Sequence, residues 1–239
     1  MNEVDFHLTT KNPRLYPQHY ALKSPVPASR WARIRLLAME VDGILTDGKI
    51  HLFNNGTETK IFSLLDSTGI EQLLAHNIAV AWFCSHESAI TAAYAARLKI
   101  PHFHQGKLNK LTLLRDLAAK RSLLPDQVAY IGDDIHDLPA LRWAGIGITI
   151  PESFLPILRV ANYITHHHGG DGAVREVCNI LLTAKKQQLA TPVSANFFRA
   201  NLLTAAVPPR FPRPKFRQPA ARRSLSRPPI FPPPIFPAP

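Results

Sequence analysis

An apolar run that ends in two acidic residues and a turn constrains this chain more than any other feature. Residues 34–48 read Ile-Arg-Leu-Leu-Ala-Met-Glu-Val-Asp-Gly-Ile-Leu-Thr-Asp-Gly, in which one residue separates Glu40 from Asp42. The run has the length of a buried strand, and the glycines after it predict a turn. Ligands of open α/β sheets bind at the carboxyl ends of the strands. Glu40 and Asp42 are therefore candidate cation ligands, with a solvated acidic turn as the alternative interpretation.

A second acidic cluster follows another apolar run. Residues 127–131 predict a strand, and Asp133, Asp134 and Asp137 come directly after it. Three carboxylates this close together repel one another unless a cation offsets their charge. The cluster indicates a metal site at a strand end, and a solvated loop is again the alternative.

These two segments resemble the first and last motifs of the haloacid dehalogenase superfamily of aspartyl phosphatases. The first motif of that superfamily is D-x-D-G-x-x-T/V, and the last is G-D-D-x-x-D, which residues 132–137 match without a departure. The longer sequence V-D-G-x-L-T-D-G is similar to the capless branch that contains the 3-deoxy-D-manno-octulosonate 8-phosphate phosphatases of lipopolysaccharide sugar synthesis. One departure affects the chemistry directly, because Glu40 stands where the family has its nucleophilic aspartate.

Two further segments carry the same resemblance. Residues 104–111, His-Gln-Gly-Lys-Leu-Asn-Lys-Leu, are similar to the family's Y-Q-G-x-x-D-K-L, and residues 169–176 are similar to its G-G-x-G-A-V-R-E. A lone lysine on a helix is usually a solvated surface group. Within this frame, the resemblance implies that Lys110 offsets the charges of the phosphate and the nucleophile.

The resemblance also implies the remaining parts of a phosphatase site. Asp42 would act as the general acid/base, and Mg²⁺ would be the cofactor. The residues around the ion would be Glu40, Asp133 and the backbone carbonyl of Asp42 in direct contact, with Asp134 and Asp137 behind them. The positions expected to bind substrate are Thr46, Asp66, Cys84 and Ser85.

Several departures from the family pattern fall at these positions. Cys84 stands where the family has a Thr or Ser that holds the phosphoryl group, and a thiol is a weak hydrogen-bond donor. Ser85 is a possible replacement, and a small buried residue is the alternative interpretation of Cys84. The residues Leu65, His86 and Asp171 all stand where the family has arginine. We therefore expect weak or absent phosphatase activity, and the alternative hypothesis is an inactive homologue that serves as an oligomeric scaffold or regulatory subunit.

The pattern and the resemblance together predict an α/β fold, a Rossmann-like parallel sheet flanked by helices, with no cap domain. A protruding β-hairpin is predicted over residues 49–62, because the turn Asn54-Asn55-Gly56 suits the positive φ that tight hairpins need. In the resembling family, this hairpin packs against neighbouring subunits. We therefore expect a homotetramer and, if the chain is active, a small phosphorylated sugar acid as its substrate.

Charge and proline divide the chain into three parts. Residues 187–239 hold eight Arg and Lys, no acids and 13 of the 22 prolines, so most of the net charge of +11 belongs there. We expect an extended N-terminal leader over residues 1–32, the phosphatase domain over residues 33–186 and a disordered Pro/Arg-rich tail over residues 187–239. Such a tail could bind an SH3-like groove or an anionic surface, and the alternative is that it has no function. Nucleic-acid binding is not expected, since basic and aromatic residues do not alternate on a folded platform.

The other features of the sequence exclude several classes of protein. Cys84 and Cys178 lie far apart, which argues against a disulfide framework or a zinc site. No apolar run approaches the roughly 20 residues of a membrane span, and no signal peptide is evident. We expect a cytoplasmic protein without a membrane partner. The run His166-His167-His168 is predicted to be a polar loop, because consecutive side chains point in different directions.

Overall fold

The computed structural model describes residues 25–107 and 109–190. Its eight strands are β1 (Leu36–Met39), β2 (His51–Leu52), β3 (Glu58–Thr59), β4 (Ala79–Cys84), β5 (His102–Gln105), β6 (Val128–Ile131), β7 (Ile146–Thr149) and β8 (Tyr163–Ile164). Its seven α-helices are α1 (Ala28–Arg33), α2 (Leu64–Ala75), α3 (Ala89–Arg97), α4 (Lys110–Lys120), α5 (Leu138–Trp143), α6 (Leu155–Val160) and α7 (Ala173–Ala190). Short 3₁₀ turns cover Pro125–Gln127 and Ile135–Asp137.

Six of the strands form one parallel sheet in the order β5-β4-β1-β6-β7-β8. The first strand lies at the centre, where Met39 is in register with Trp82 of β4 and Ile131 of β6. The carboxyl ends of β1 and β6 are therefore level, and β4 continues past them to Cys84. The segments that follow them begin at Glu40, Ser85 and Gly132, and they share one edge of the sheet.

The hydrophobic core lies on both faces of this sheet. Leu37 and Met39 of β1 belong to one buried cluster, and Leu36 and Ala38 belong to the other, because successive strand residues point to opposite faces. Helix α7 contributes to the first cluster and helix α4 to the second. Burial on both faces explains why the strands are apolar throughout rather than alternating. The predicted parallel α/β fold is confirmed, and the described residues contain no cap domain.

The hairpin is present but shorter than predicted. Strands β2 and β3 pair antiparallel over only two residues each, with His51 opposite Thr59. The turn between them contains Gly56 at a φ of +82°, which is the conformation expected of this turn. Leu52 and Phe53 are 75% and 55% exposed, so the hairpin buries few of its apolar side chains.

The ends of the described region extend slightly beyond the predicted domain. Trp31 of α1 is buried in the core and meets Tyr163 edge to face at 5.4 Å, so residues before the predicted boundary at 33 take part in packing. Helix α7 continues past the predicted end at Lys186 to Ala190. Most of the predicted leader and the tail from residue 191 onward lie outside the described residues. In the described ranges, no helix is both long enough and apolar enough to cross a membrane.

Candidate active site

The turn after β1 is shaped by a threonine and by the glycine that follows Asp42. The Thr46 hydroxyl accepts the backbone N–H groups of Gly43 at 3.3 Å and Gly48 at 3.2 Å. Gly43 has a φ of +91°, and a Cβ added there would come within 2.4 Å of Asp133 Oδ2. Any side chain at position 43 would therefore displace the Asp133 carboxylate. This close approach brings the ends of β1 and β6 into one site.

A buried lysine joins the same two segments. Lys110, the first residue of α4, is only 4% exposed. Its ammonium lies 2.6 Å from Asp137 Oδ1 and forms an ion pair with Glu40 Oε2. The other Asp137 oxygen accepts the backbone N–H groups of Asp133 and Asp134, both at 3.1 Å. Asp137 therefore fixes the lysine and the acidic turn at once.

Burial and charge set the protonation of this cluster. Burial raises the pKa of Glu40, and the neighbouring Lys110 opposes that effect without cancelling it. Burial alone would lower the pKa of Lys110, but the carboxylates of Asp137 and Glu40 outweigh it and raise that pKa. Burial and then Asp137 raise the pKa of Tyr130, so its hydroxyl stays protonated and donates to Asp137 at 2.7 Å.

A cavity of about 190 Å³ opens over this cluster at the carboxyl edge of the sheet. Seven of the predicted site residues line it, and they are Glu40, Asp42, Ser85, Lys110, Asp133, Asp134 and Asp137. These residues come from the ends of three strands and from the start of α4. The structure thus places the predicted nucleophile position, general acid/base and phosphate clamp around one space.

Three of the predicted substrate positions do not line this cavity. Thr46 is fully buried in the turn described above. Asp66 is also buried, and it accepts the backbone N–H groups of Arg175 at 2.7 Å and Gly172 at 3.4 Å. Asp66 thereby joins α2 to the first turn of α7, and burial raises its pKa.

The third of these residues, Cys84, lies behind the cavity. Its sulfur is 3.5 Å from Asp42 Oδ2 and 3.0 Å from the carbonyl oxygen of His86. Burial, reinforced by the negative charges of Asp42 and Glu40, raises the pKa of the thiol to about 12. Cys84 therefore stays a neutral thiol. Ser85, which is exposed, lines the cavity from this turn together with His86.

The donor atoms of the cavity suit Mg²⁺. The carboxylates of Glu40 and Asp133 line the cavity together with Asp42, and all of their donors are oxygen. In the described part of the chain, no three His, Cys, Asp or Glu side chains form a complete metal cage. Mg²⁺ does not need such a cage, because it binds through one or two carboxylates, water and substrate phosphate. Glu40, Asp133 and the Asp42 carbonyl are therefore a fitting donor set.

The sequence interpretation gave no role to Lys60, which the structure places directly against Asp42. The Lys60 ammonium lies 2.8 Å from Asp42 Oδ1 and 2.9 Å from Asp42 Oδ2, and its side chain is fully buried. Two histidines, His86 and His136, also line the cavity without having been assigned to it. Lysine is among the residues least often buried, so nothing in the sequence signalled that Lys60 lies in the interior. Its partner 18 residues earlier was not visible in any spacing.

The histidine run forms a loop, and acidic residues hold it in place. His166 and His167 contact Glu176 through their Nδ1 atoms at 3.1 and 2.8 Å, and His168 pairs with Glu152. All three rings are more than half exposed. The predicted polar loop is consistent with this arrangement.

Comparison with known proteins agrees with this geometry. Residues 46–177 match the family model described as haloacid dehalogenase-like hydrolase. The 3-deoxy-D-manno-octulosonate 8-phosphate phosphatase of Salmonella typhimurium is 40% identical over 166 residues, which cover 70% of this chain and 88% of that enzyme.

Solved structures of such phosphatases match the fold. The Moraxella catarrhalis enzyme, in complex with a magnesium ion, a phosphate ion and KDO, has a TM-score of 0.64 and 40% identity, over 74% of this chain and 96% of that one. The cobalt-bound Haemophilus influenzae enzyme has a TM-score of 0.63 and 32% identity, over 71% of this chain and 99% of that one. The family model covers more than half of this chain, and the relatives are covered almost completely. The chain therefore belongs to the haloacid dehalogenase-like hydrolase family.

Proposed function

We propose that this chain is a Mg²⁺-dependent phosphomonoesterase of the 3-deoxy-D-manno-octulosonate 8-phosphate phosphatase type, with activity reduced by the glutamate at position 40. The substrate would be a small phosphorylated sugar acid. The observation that supports this most strongly is the single cavity that gathers Glu40, Asp42, Lys110 and Asp133. Phosphoryl transfer to a carboxylate needs one carboxylate that attacks phosphorus and a second that transfers a proton. It also needs a cation nearby that offsets negative charge.

Each residue has a defined task in this mechanism. The Glu40 carboxylate attacks phosphorus, and the bond from phosphorus to the sugar oxygen breaks. Asp42 gives its proton to that leaving oxygen, and then takes a proton from the water that attacks the acyl phosphate. The second step releases inorganic phosphate and restores Glu40. Lys110 offsets negative charge on the phosphoryl oxygens.

Mg²⁺, when bound, would supply further charge neutralisation for the phosphoryl group and would help to orient it. Glu40, Asp133 and the backbone carbonyl of Asp42 would hold the ion, and Asp134 lies at the same edge of the cavity.

The glutamate gives a physical reason to expect reduced activity. Its side chain is longer than aspartate by one C–C bond, or about 1.5 Å. A displacement of about 1 Å at a reacting centre can cost on the order of 100-fold in rate. In addition, Glu40 Oε2 is engaged with Lys110, and burial raises the pKa of this carboxyl. A carboxyl that is displaced and held by an ammonium is a poorer nucleophile.

Phosphate release with Mg²⁺ tests this proposal. The substrates are 3-deoxy-D-manno-octulosonate 8-phosphate and p-nitrophenyl phosphate, and the proteins are the native chain, Glu40→Asp, Asp133→Ala and Glu40→Asp with Asp133→Ala. We expect slow turnover by the native chain, turnover raised on the order of 100-fold by Glu40→Asp, and loss of activity in both proteins when Asp133 is replaced. The proposal fails if Glu40→Asp is inactive on both substrates or if activity survives Asp133→Ala.

One observation favours assembly, which the alternative of an inactive homologue acting as a scaffold requires. Of the nine large apolar side chains that are exposed in the described residues, six fall within residues 50–65. This group, here called the hairpin patch, consists of Ile50, Leu52, Phe53, Ile61, Leu64 and Leu65. Clustered exposed apolar residues mark interaction surfaces. A homotetramer that uses the hairpin patch would bury them, whether or not the chain catalyses a reaction.

A further inference from the structure

We infer that Lys60 is a positioning residue that holds Asp42 in the orientation needed for proton transfer, and that it links the hairpin to the site. This inference rests on the proposed phosphatase function. It starts from the bidentate contact between the Lys60 ammonium and both oxygens of Asp42, at 2.8 and 2.9 Å. No other basic side chain in the described residues forms an ion pair with Asp42.

The surroundings of Lys60 fix its direction. Its side chain has no exposed surface, whereas that of Asp42 is 25% exposed. The lysine therefore lies behind the carboxylate, on the side away from solvent. An ammonium has three N–H donors. Two of them face the oxygens of Asp42, and the third direction points to Thr91 Oγ1 at 3.4 Å. The ammonium has no spare donor and little freedom to rotate.

Asp42 keeps free acceptor positions while it is held in this way. Each carboxylate oxygen can accept two hydrogen bonds. Lys60 uses one acceptor position on each oxygen, and the Cys84 thiol lies 3.5 Å from Oδ2. The carboxylate still lines the cavity, where a leaving oxygen would have to lie. Lys60 thus fixes the plane of the carboxylate without blocking its cavity side.

The strand just before Lys60 supplies a second contact to the site. Glu58 of β3 lies two residues before Lys60. The Glu58 carboxylate accepts the Ser88 hydroxyl at 2.5 Å and lies 3.6 Å from His86 Nε2. Lys60 and Glu58 therefore contact both Asp42 and the turn after β4. The base of the hairpin therefore forms part of the site.

A purely structural ion pair makes a different prediction from a positioning residue. General acid catalysis matters most when the leaving oxygen is a poor leaving group, such as a sugar alkoxide. It matters little for p-nitrophenolate, which leaves without a proton. Loss of a positioning residue should therefore slow sugar phosphate hydrolysis selectively, whereas general disorder of the site should slow both reactions equally.

The experiment compares Lys60→Met, Lys60→Arg and Lys49→Met, each made in the Glu40→Asp chain so that rates are measurable. Methionine has about the length of the buried apolar part of the Lys60 side chain. Removing the lysine charge leaves Asp42 without its ion pair, but Asp42 is partly exposed and stays hydrated from the cavity. Lys49→Met is the matched control, since Lys49 also pairs with an aspartate in this region, Asp47 at 2.8 Å, but is exposed.

We expect Lys60→Met to lower kcat for the sugar phosphate on the order of 100-fold and kcat for p-nitrophenyl phosphate by less than about threefold. Lys60→Arg should restore part of the loss, because guanidinium also binds carboxylate in a bidentate manner. Lys49→Met should leave both rates unchanged. Equal losses on both substrates, or no loss, would overturn the inference.

A crystal structure of Lys60→Met tests the positioning role of Lys60 even if no variant has activity. The Asp42 carboxylate should rotate or shift out of the plane that Lys60 fixes, while Glu40, Lys110 and Asp137 stay in place. An unchanged Asp42 would overturn the positioning role. Inactivity of the Glu40→Asp chain itself, with a displaced Asp42, would instead refute the phosphatase proposal and leave the positioning geometry standing.

Discussion

Glu40 is tolerated in the interior because a cation shares the space with it. Lys110 contacts Glu40 on one side and Asp137 on the other, and all three side chains are nearly inaccessible to solvent. A buried charge without a partner is strongly destabilising, whereas a paired one can be close to neutral in its effect on stability. The Glu40 carboxylate lies directly against the lysine. The same contact that stabilises the glutamate therefore occupies the lysine that would bind phosphate.

Glu176 makes the stability of the folded chain depend on pH in the acid range. Burial alone would raise its pKa, but hydrogen bonds from Tyr163, His167 and His166 outweigh burial and lower the pKa to about 2. A carboxyl whose pKa is lowered by folding stabilises the protein at pH values above its unfolded pKa. That stabilisation is lost as the pH falls from about 4.5 towards 2.

We therefore predict that Glu176→Gln lowers the free energy of unfolding at pH 7 by about 1–3 kcal/mol. The difference between variant and native chain should shrink below pH 4.5 and vanish near pH 2. Urea unfolding at a series of pH values measures both. Asp116→Asn, at a carboxyl on the exposed side of α4, is the control and should have little effect. A pH-independent loss in Glu176→Gln would contradict the assignment.

The sequence motifs predicted which residues lie near one another in the site better than they predicted which side chains contact each other. The acidic motifs placed Glu40, Asp42 and Asp133 together, because motifs at parallel strand ends must share an edge. Asp66 could not be placed in this way, since its partners Gly172 and Arg175 lie more than 100 residues further along the chain. Local patterns carry no information about contacts of that separation.

At the scale of elements, capping residues decided where several helices begin. Helix α2 starts at Leu64 because Ser63 caps it, and helix α3 starts at Ala89 because Ser88 caps it. Side chains of this type accept the unpaired N–H groups of the first turn. Helix α4 starts at Lys110 because Asn109 accepts the N–H of Thr112 at 3.0 Å. The cap thereby places the ammonium of the first helical residue in the site.

The loop before α7 packs so closely on the turn after β1 that it requires glycine. A Cβ added at Gly169 would lie 1.8 Å from the carbonyl oxygen of Gly43, and Gly170 donates its N–H to the carbonyl of Ile44 at 2.9 Å. The family's G-G-x-G sequence is thus explained here by backbone contact between two elements. It needs no direct role in chemistry.

We predict that Gly169→Ala destabilises the protein by about 3 kcal/mol or more, because backbone must move to admit the methyl group. Gly56→Ala is the control for glycine replacement. Its φ is +82°, but a Cβ there meets nothing within 4 Å, so a loss of only about 1 kcal/mol is expected. Urea midpoints of both variants give the comparison. Equal losses would show that the close approach at Gly169 relaxes easily.

For the whole molecule, the order of apolar runs and acidic turns was enough to predict the parallel sheet. Buried strands that are apolar throughout are typical of sheets covered on both faces, and β1, β4, β6 and β7 are buried along their full length. The strand order and the central place of β1 were not predicted, because the spacing of apolar runs does not say which strands are neighbours. The extent of the hairpin was not predicted either, because only four of its residues pair.

Assembly is the prediction that belongs to the whole molecule. We expect the native chain to have a solution mass of four times 26.6 kDa, and Leu52→Lys with Leu64→Lys to lower that mass by placing charge in the hairpin patch. Leu124→Lys is the matched control, since Leu124 is 63% exposed but lies outside the patch. Light scattering after size exclusion measures all three. A monomeric native chain, or an unchanged mass in the double variant, would contradict the prediction.

The contact of Gly169 and Gly170 with the turn after β1 has a consequence for synthesis of the chain. Position 40 leaves the ribosome long before position 170, and translation proceeds at roughly 5–20 residues per second. The segment that packs on this turn therefore arrives roughly 6–26 seconds after the turn itself. During that interval, the nascent chain carries its acidic motif without the backbone partner that closes it. The site is assembled last, when almost the whole domain has been made.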